Sequence, residues 1–534
     1  MNRIRLYKIT AIILLAMPLI ACGKQDTPFN PQPDMARKLS VVNTTHGKVA
    51  GYADGNGLEV FLGIPYAEPP VGQLRFAPPK PVTPWTYIRP AYRFGPTCPQ
   101  VKDEFEPSSL LFQDEDCLSL NIWTPGSDAR KRPVMVYIHG GGFVNGGTAD
   151  PLYNGQYLAR RGGIVVASVN YRVAALGFLA LDKFGPEFAG SGNLALQDQI
   201  AGLTWIKNNI SRFGGDPDNV TVMGESAGSA SVMCLMISPR AKGLFKKSIA
   251  HSGAINLTRS RELAARYTEK FMEMAGVKDV AGLRAISSTR MVELERKILD
   301  DAGFEADLLF APVKDGIIVP ADPIKAFEVG EAKGIPLLNG TNHDEYRYWI
   351  LYSSILKYIP VKMLLALAPT VRERLGQHRD AVIDYYDRTL RSGGMGRKTF
   401  ALGTDMMFRV PHLKVADLQS RHAPVWMYRF DWRSHVSEDL GACHAIELPF
   451  VLRTFESPTR YQIVGPDPPM KLSDTMMDAW IAFISTGDPG TPGLLWTKYD
   501  VTRRTTMIFN VESRVQDDPD RETRMLYKDI ETIY

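Results

Sequence analysis

Clustered charge of one sign and metal-type cysteine spacing are both missing from this sequence. The 62 basic and 58 acidic residues leave a net charge of +4, an excess too small and too dispersed to indicate nucleic-acid binding. There is no zinc-type Cys/His spacing, no phosphate-binding P-loop and no internal repeat, so no metal centre, nucleotide site or solenoid is predicted. The 534 residues, 45% hydrophobic and 22% charged, have the composition of an ordinary globular protein with a large core.

The N-terminus has the pattern of an export signal. A basic segment precedes the apolar run Ile9–Ala21, which is shorter than the ~20 residues needed to span a bilayer. The pattern is typical of a secretory signal peptide over residues 1–21. The run ends in Leu-Ile-Ala before Cys22, which resembles a bacterial lipobox. We therefore expect a lipid anchor on Cys22 and an outer-membrane or periplasmic lipoprotein; the alternative is a plain signal peptide and a soluble periplasmic or secreted protein.

Cysteine is scarce, with five residues in the chain. If Cys22 carries lipid, four cysteines remain in an oxidising compartment. A bridge between Cys98 and Cys117 would stabilise the fold by about 3 kcal/mol, because it lowers the conformational entropy of the unfolded chain. Cys234 and Cys443 are expected to be buried thiols, with pairing between them left open.

Apolar, β-rich stretches alternate with helix-like stretches after residue 39. The predicted strands are 134–140, 162–172, 220–224, 246–253, 335–342 and 425–432, and the predicted helices 196–211, 261–275 and 470–486. Such alternation predicts an α/β fold with a mostly parallel sheet covered on both faces. Residues 22–38 are predicted to be a flexible tether and residues 39–534 one catalytic domain. The segment between about 345 and 420 is expected to be helical and to cap the site.

Two glycine-rich motifs carry the first chemical signal. In Val220–Ser229, written VTVMGESAGS, Ser226 stands between glycines at the exit of a predicted strand. With a helix following, this predicts the nucleophile elbow of an α/β-hydrolase; the alternative is a tight structural turn. The sequence HGGGF also follows a predicted strand, so the N–H groups of Gly141, Gly142 and Ala227 are predicted to form an oxyanion hole. The alternative for HGGGF is a flexible loop.

Several further motifs make the chain resemble the type-B carboxylesterase/cholinesterase family over nearly all of residues 40–515. The motifs are FLGIPYAEPPVGQLRF (61–76), EDCLSLNIW (115–123), NYRVAALGF (170–178), GNLALQDQ (192–199), NHDE (342–345) and TGDP (486–489). The resemblance implies an α/β-hydrolase fold with a central, mostly parallel sheet and helical insertions. It also implies a serine carboxylesterase without metal or cofactor, and a disulfide between Cys98 and Cys117.

The resemblance also points to the catalytic groups, which follow the order Ser, acid, His in this fold. The family places its acid on the second carboxylate of NHDE, here Glu345, with Asp344 as the alternative. His435 and His444 both follow the predicted strand 425–432, and GACHAIELPFVL around His444 matches the family's catalytic-histidine segment. His444 is therefore expected to take the proton of the serine hydroxyl, while Glu345 holds its tautomer.

The resemblance assigns four further residues. Glu225 and Ser252 match positions that support the triad, and Leu308 and Phe310 match the region that shapes the acyl pocket. The loop between the paired cysteines lacks the tryptophan with which cholinesterases hold a quaternary ammonium group, so choline esters are not expected as substrates.

Three function classes follow from the sequence. The first is a carboxylesterase acting on a small-molecule ester, with no nucleic-acid partner. The second is an amide or carbonate hydrolase, which the same triad on the same fold would serve equally well. The third is a catalytically silent adhesion relative, which typically loses its nucleophile, whereas Ser226, Glu345 and His444 are all present here.

Overall fold

Thirteen strands form one sheet in the computed structural model, which describes residues 38–530 apart from 104, 106, 303–308 and 391–394. The strands are β1 (Leu39–Asn43), β2 (Lys48–Ala53), β3 (Glu59–Pro65), β4 (Ile88–Pro90), β5 (Ser119–Thr124), β6 (Arg132–Ile138), β7 (Val165–Val169), β8 (Gly215–Glu225), β9 (Lys247–His251), β10 (Leu337–Asn342), β11 (Val425–Phe430), β12 (Thr505–Phe509) and β13 (Arg514–Asp517). Their order is β1-β2-β3-β5-β7-β6-β8-β9-β10-β11-β12-β13, with β4 paired to β2. In this order, neighbours from β7 to β12 pair in parallel. The neighbours from β1 to β7, and the pair β12 and β13, are antiparallel.

Helices connect the parallel strands. They are α1 (Gln156–Gly162), α2 (Ala174–Phe178), α3 (Leu194–Asn209), α4 (Ala227–Ile237), α5 (Arg261–Ala275), α6 (Val280–Ala285), α7 (Ser288–Ala302), α8 (Pro323–Glu328), α9 (Val361–Leu367), α10 (Pro369–Leu375), α11 (Arg379–Thr389), α12 (Met395–Thr404), α13 (Val410–Gln419), α14 (Leu448–Leu452), α15 (Met470–Thr486) and α16 (Arg521–Tyr527). Parallel neighbours require such crossovers, because the chain must return to the same edge of the sheet before each strand.

Both faces of the sheet are buried. On β6, Val134, Val136 and Ile138 join a hydrophobic cluster that includes residues of α3, α4 and α5. Met135 and Tyr137 join a second cluster that includes residues of α1, α14 and α15. Because successive side chains of a strand point to opposite faces, a strand covered on both sides must be apolar at every position. This is why the central strands read as continuous apolar runs.

The predicted α/β fold is confirmed. Each strand predicted from an apolar run overlaps an observed one, and the predicted helices 261–275 and 470–486 coincide with α5 and α15. Strands β1–β5, β12 and β13, which lie outside the predicted set, were not predicted individually. The predicted disulfide between Cys98 and Cys117 is present, and Cys234 and Cys443 are buried free thiols.

The segment after β10 is helical, as predicted. Helices α9 to α13 follow one another, and a π-helical turn, Asp405–Arg409, separates α12 from α13. Their apolar side chains form a third cluster, which also takes in Tyr527 and Ile530 near the end of the chain. The helical segment therefore has a core of its own beside the sheet.

Some predictions concern residues outside the described part of the chain. These are the signal peptide 1–21, the lipid site Cys22, the tether up to residue 37, and Leu308. Within the described residues, no helix combines the length and the apolar character that crossing a bilayer requires.

Candidate active site

Ser226 lies on a sharp turn between the end of β8 and the start of α4. Its backbone has φ 56° and ψ −123°, a strained conformation for a residue with a side chain. The turn is possible because its neighbours are glycines. A Cβ at Gly253 would lie 1.9 Å from the main-chain oxygen of Ser226, and a Cβ at Gly228 would lie 2.1 Å from that of Ile138. This is the strand–turn–helix geometry expected of a nucleophile elbow.

Glu345 follows β10 directly and is completely buried. Its Oε1 accepts a hydrogen bond of 2.7 Å from the amide of Asn342, and its Oε2 lies 2.8 Å from Nδ1 of His444. The amide of His444 also donates to the main-chain oxygen of Glu345, at 3.2 Å. A carboxylate at Nδ1 fixes the imidazole so that Nε2 is the nitrogen available to a neighbouring group.

The alternative residues lie elsewhere. Asp344 accepts from the amide of Ala442 at 3.1 Å and pairs with Arg347 at 3.3 Å. Although burial alone would raise it, the pKa of Asp344 is held well below its usual range by His343 and Arg347. His435 is exposed, beside the main-chain oxygen of residue 466. The structure thus places Glu345, and not Asp344, against His444.

Glu225, predicted only to support the triad, lies in direct contact with His444. Its Oε1 lies 3.1 Å from Nε2 of His444, so the imidazole stands between two carboxylates. No hydrogen bond joins the hydroxyl of Ser226 to His444 in the described structure. Burial lowers the pKa of His444, but the charges of Glu225 and Glu345 outweigh it and raise this pKa to about 9. At neutral pH the resting imidazole is therefore mostly protonated.

Three amide groups border Ser226. Gly141 and Gly142 have φ of 101° and 60°, conformations that favour glycine, and their N–H groups have no partner among the described residues. Ala227 is the first residue of α4, where an N–H has no acceptor within its own helix. Unpaired N–H groups beside a nucleophile are what an oxyanion hole requires.

The loop closed by Cys98 and Cys117, here called the disulfide loop, supports residues 139–146, here called the glycine loop. Gln100 donates from Nε2 to the main-chain oxygen of Gly146 and accepts from the amide of Gly146, at 2.9 and 2.8 Å. It also donates to the main-chain oxygen of Cys98. Because Cys98 is tied to Cys117, this amide side chain holds the glycine loop against a cross-linked segment. Sequence reasoning missed Gln100, since nothing local marks its partner.

A buried histidine lies beneath Ser226. The main-chain oxygen of His251 accepts from the amide of Ser226 at 2.9 Å. Nε2 of the His251 ring accepts from the indole of Trp480 at 3.0 Å, so the ring proton is on Nδ1. This Nδ1 lies 2.8 Å from the hydroxyl of Tyr428 and 3.2 Å from Glu447. Sequence reasoning did not single out His251 or Glu447. The hydroxyl of the adjacent Ser252 is buried without a hydrogen-bond partner among the described residues.

Ser226, Glu225 and His444 open into a cavity of about 830 Å³, here called the active-site cavity. Aromatic side chains line much of it, including Trp349, whose ring centroid lies 5.5 Å from that of His444. Four carboxylates line it, and no described lysine or arginine does; they belong to Asp103, Asp150, Glu225 and Asp300. Burial raises the pKa of Asp150 to about 6. The cavity therefore favours neutral or cationic ligands.

Phe310, predicted to line the acyl pocket, is buried in the cluster that includes α3 and α4 and is not among the lining residues of this cavity. The described walls are formed instead by the disulfide loop, the glycine loop and the segment after β10, with residues around His444. Among the described residues, no group of three or more His, Cys, Asp or Glu side chains could hold a metal ion.

The parallel sheet, the strained turn after β8 and the helical connections define an α/β-hydrolase fold. A family model described as the carboxylesterase family matches residues 38–526, and the chain belongs to this family. The para-nitrobenzyl esterase of Bacillus subtilis (strain 168) is 39% identical over 493 residues, covering 91% of this chain and 97% of that protein. The phenmedipham hydrolase of Pseudarthrobacter oxydans is 33% identical, covering 84% and 90%.

Solved structures agree. A carboxylesterase of Geobacillus stearothermophilus superposes with a TM-score of 0.83 at 37% identity, covering 91% of this chain and 99% of that one. The predicted family and fold are therefore confirmed, and the chain is a carboxylic ester hydrolase of this family.

Proposed function

We propose that this protein is a serine carboxylesterase that works through an acyl-enzyme, with Ser226 as nucleophile, His444 as general base and Glu345 as its orienting acid. The observation that carries the proposal is the 2.8 Å contact between Nδ1 of His444 and the buried Glu345, beside the strained turn that presents Ser226. A serine hydroxyl attacks an ester only when a base takes its proton. Glu345 stabilises the imidazolium that forms in this step.

The proposed reaction has two halves. Ser226 Oγ attacks the ester carbonyl, its proton passes to Nε2 of His444, and the tetrahedral oxyanion is held by N–H groups of Gly141, Gly142 and Ala227. His444 then protonates the leaving alcohol. A water repeats the sequence on the acyl-enzyme and releases the acid.

The resting contact between Nε2 and Glu225 bears on this step. Only the neutral imidazole can take a proton, so the serine must displace Glu225 as the partner of Nε2 when substrate is bound. Hydrogen bonds between catalytic groups commonly form only with substrate in place. Glu225 then lies where it can stabilise the imidazolium formed in the transition state.

The lining of the active-site cavity narrows the substrate class. Its aromatic side chains suit apolar and aromatic esters, and its carboxylates disfavour substrates that already carry a negative charge. The same charges repel the product acid, which ionises after release from Ser226. Neutral esters of aromatic or medium-sized apolar groups are the proposed substrates.

Turnover of p-nitrophenyl esters and matched anilides tests the proposal. Wild type should cleave esters far faster than anilides, and Ser226→Ala should lose about a millionfold in kcat with little change in thermal midpoint. His435→Ala should lower kcat far less than His444→Ala does. More than a tenth of wild-type activity in Ser226→Ala would exclude the nucleophile. Faster cleavage of anilides would favour amide hydrolysis, and turnover of neither would favour an adhesion role.

We also propose that the protein is exported and anchored through lipid on Cys22. The disulfide between Cys98 and Cys117 supports export, because such bridges persist in oxidising compartments. Metabolic labelling with a fatty acid should mark wild type and not Cys22→Ala. Unlabelled wild-type protein, soluble in the periplasm or medium, would instead support a cleaved signal peptide without an anchor.

A further inference from the structure

A second cavity, of about 350 Å³, lies behind the turn that carries Glu345. Its walls include His343 and Asp344, which immediately precede Glu345, together with residues of α11, α12 and the π-helical turn. The volume is at the lower end of the range of small-molecule sites, about 300–1,000 Å³. Neither the family match nor the proposed esterase chemistry gives this cavity a role.

Residues of the second cavity contact residues of the active-site cavity. Phe408 of the π-helical turn packs on His444, with ring centroids 4.9 Å apart, while Asp405 and Arg409 of the same turn line the second cavity. Thr404 lines it as well, and its hydroxyl accepts from the amide of Tyr346, which lines the active-site cavity. π-Helical turns inside α-helices occur frequently at functional sites. A ligand in the second cavity would therefore touch residues that contact the lining of the active-site cavity.

Arg409 links the second cavity directly to residues 342–345, here called the acid turn. Its guanidinium donates 2.9 Å hydrogen bonds to the main-chain oxygens of both Asn342 and His343. The amide of Asn342 is in turn held by Oε1 of Glu345. A change in the position of Arg409 would therefore be passed to the carboxylate that orients His444.

The charges around the second cavity are unequally satisfied. Four arginines and three aspartates line it: Arg347, Arg397, Arg409, Arg433, Asp344, Asp405 and Asp520. The aspartates are engaged, since Asp344 pairs with Arg347, Asp520 with Arg409, and Asp405 accepts from the hydroxyl of Tyr386. Arg433 is exposed and forms no hydrogen bond or ion pair with a described residue. The side chain of Arg433 is therefore available to bind an anion.

The remaining wall is apolar. Leu390, Phe400 and Ala401 line it, together with the rings of Tyr385 and Tyr386. Inorganic phosphate or sulfate would leave this surface in contact with water. A carboxylate on a small apolar or aromatic body would satisfy both sides, because guanidinium groups bind carboxylates well and the body would cover the apolar wall.

The geometry points to a second, non-catalytic binding site for a small organic carboxylate, held by Arg433 at the mouth of this cavity and acting on catalysis through Arg409 and the acid turn. Such carboxylates are the class of acid that the proposed esterase reaction releases, and in this respect the inference rests on the proposed function. The acidic lining of the active-site cavity disfavours the same ligands there. The two cavities therefore discriminate between a neutral ester and its acid product.

Calorimetric titration of the full chain with benzoate tests the site, with benzamide as the uncharged counterpart. Before titration, the active-site cavity is blocked by a bulky fluorophosphonate. Benzoate should bind with a 1:1 stoichiometry, benzamide should bind at least about tenfold more weakly, and Arg433→Gln should weaken benzoate by about tenfold or more. Arg240→Gln, a change at an exposed arginine that lines neither cavity, should bind benzoate as wild type does.

Equal binding of benzamide and benzoate, or equal loss in both arginine variants, would overturn the site. In unblocked protein, benzoate should change kcat/KM for a neutral ester several-fold in Arg240→Gln and not in Arg433→Gln. Binding without any such change would refute the link to the acid turn. Failure of the fluorophosphonate to label Ser226 would count against the proposed esterase chemistry instead, since titration of the unblocked chain still reports on Arg433.

Discussion

Replacing Glu225 by glutamine tests the electrostatics of the site most directly. The two side chains have the same shape, but the change removes one of the two negative charges beside His444. Oε1 of Glu225 lies 3.1 Å from Nε2. An opposite charge at about 4–6 Å shifts a pKa by about 1–3 units. Because Glu345 keeps its place at Nδ1, we expect the pKa of His444 to fall by about 1–2 units in Glu225→Gln.

The sign follows from the proposed role of the imidazole as a base. With the pKa of His444 raised to about 9, kcat/KM should rise with pH up to and through that value, because only neutral His444 accepts a proton. In Glu225→Gln this ascending limb should move by about 1–2 units toward acid. The plateau at high pH should fall, because the imidazolium in the transition state loses one of its stabilising charges.

A pH-stat assay between about pH 5.5 and 10, at constant ionic strength, measures the limb by titrating the released acid, with the spontaneous rate subtracted. The thermal midpoint should be measured alongside to show that the variant is folded. Glu512→Gln, at an exposed position that does not line the active-site cavity, is the matched control and should leave the limb where it is in wild type. A limb of Glu225→Gln that coincides with wild type, or moves toward alkali, would refute the reasoning.

Two further predictions concern the turn after β10 and the turn at Ser226. Glu345→Gln should lower kcat by about 10⁴-fold through loss of the correct tautomer, while Asp344→Asn should stay within about tenfold of wild type; steady-state kinetics with the reverse ranking would transfer the acid role to Asp344. Gly253→Ala would place a Cβ 1.9 Å from the oxygen of Ser226 and should cost at least about 100-fold in kcat/KM, because a shift of about 1 Å in a nucleophile has effects of that size. Gly493→Ala, where a Cβ meets no atom within 4 Å, should match wild type, and equal activity in both alanine variants would show that the turn tolerates a side chain.

The bounds of the best-predicted helices follow from local chemistry. Helix α5 begins after Ser260, whose hydroxyl accepts from the amide of Leu263, and it ends at Gly276 in the left-handed conformation. Helix α15 likewise ends at a left-handed glycine, Gly487. Caps of this kind are formed by residues close in sequence, so the sequence carries the information needed to place them.

The outer strands were harder to predict for the opposite reason. β1 has the mixed burial of an edge strand, with Leu39 and Val41 exposed, and it forms only by pairing with β2. Strand preferences depend on what lies across the ladder, and that neighbour is set by the topology. The outer strands therefore could not be read from apolar runs, whereas the central strands β6 to β11 could.

At the site, motifs selected candidate residues but could not arrange them. Ser226, with the glycines around it, stands in a local pattern whose geometry is dictated by the turn itself. Which carboxylate of NHDE faces His444 depends on how β10 and the loop after β11 meet. The contact of Glu225 with Nε2 depends on the same packing, and this is why a residue next to the nucleophile in sequence was predicted only to support the triad.

By itself, the sequence determined the α/β class, the helix caps, the turn at Ser226, the disulfide partners and the family. The tertiary structure alone decided that His444 lies between two carboxylates and that Phe310 does not line the active-site cavity. It also decided that Arg433 lines a second cavity behind the acid turn. The physical reason is range. Caps, turns and apolar periodicity act between residues a few positions apart, whereas the charge around an imidazole and the walls of a cavity are set by side chains that only folding brings within a few ångströms.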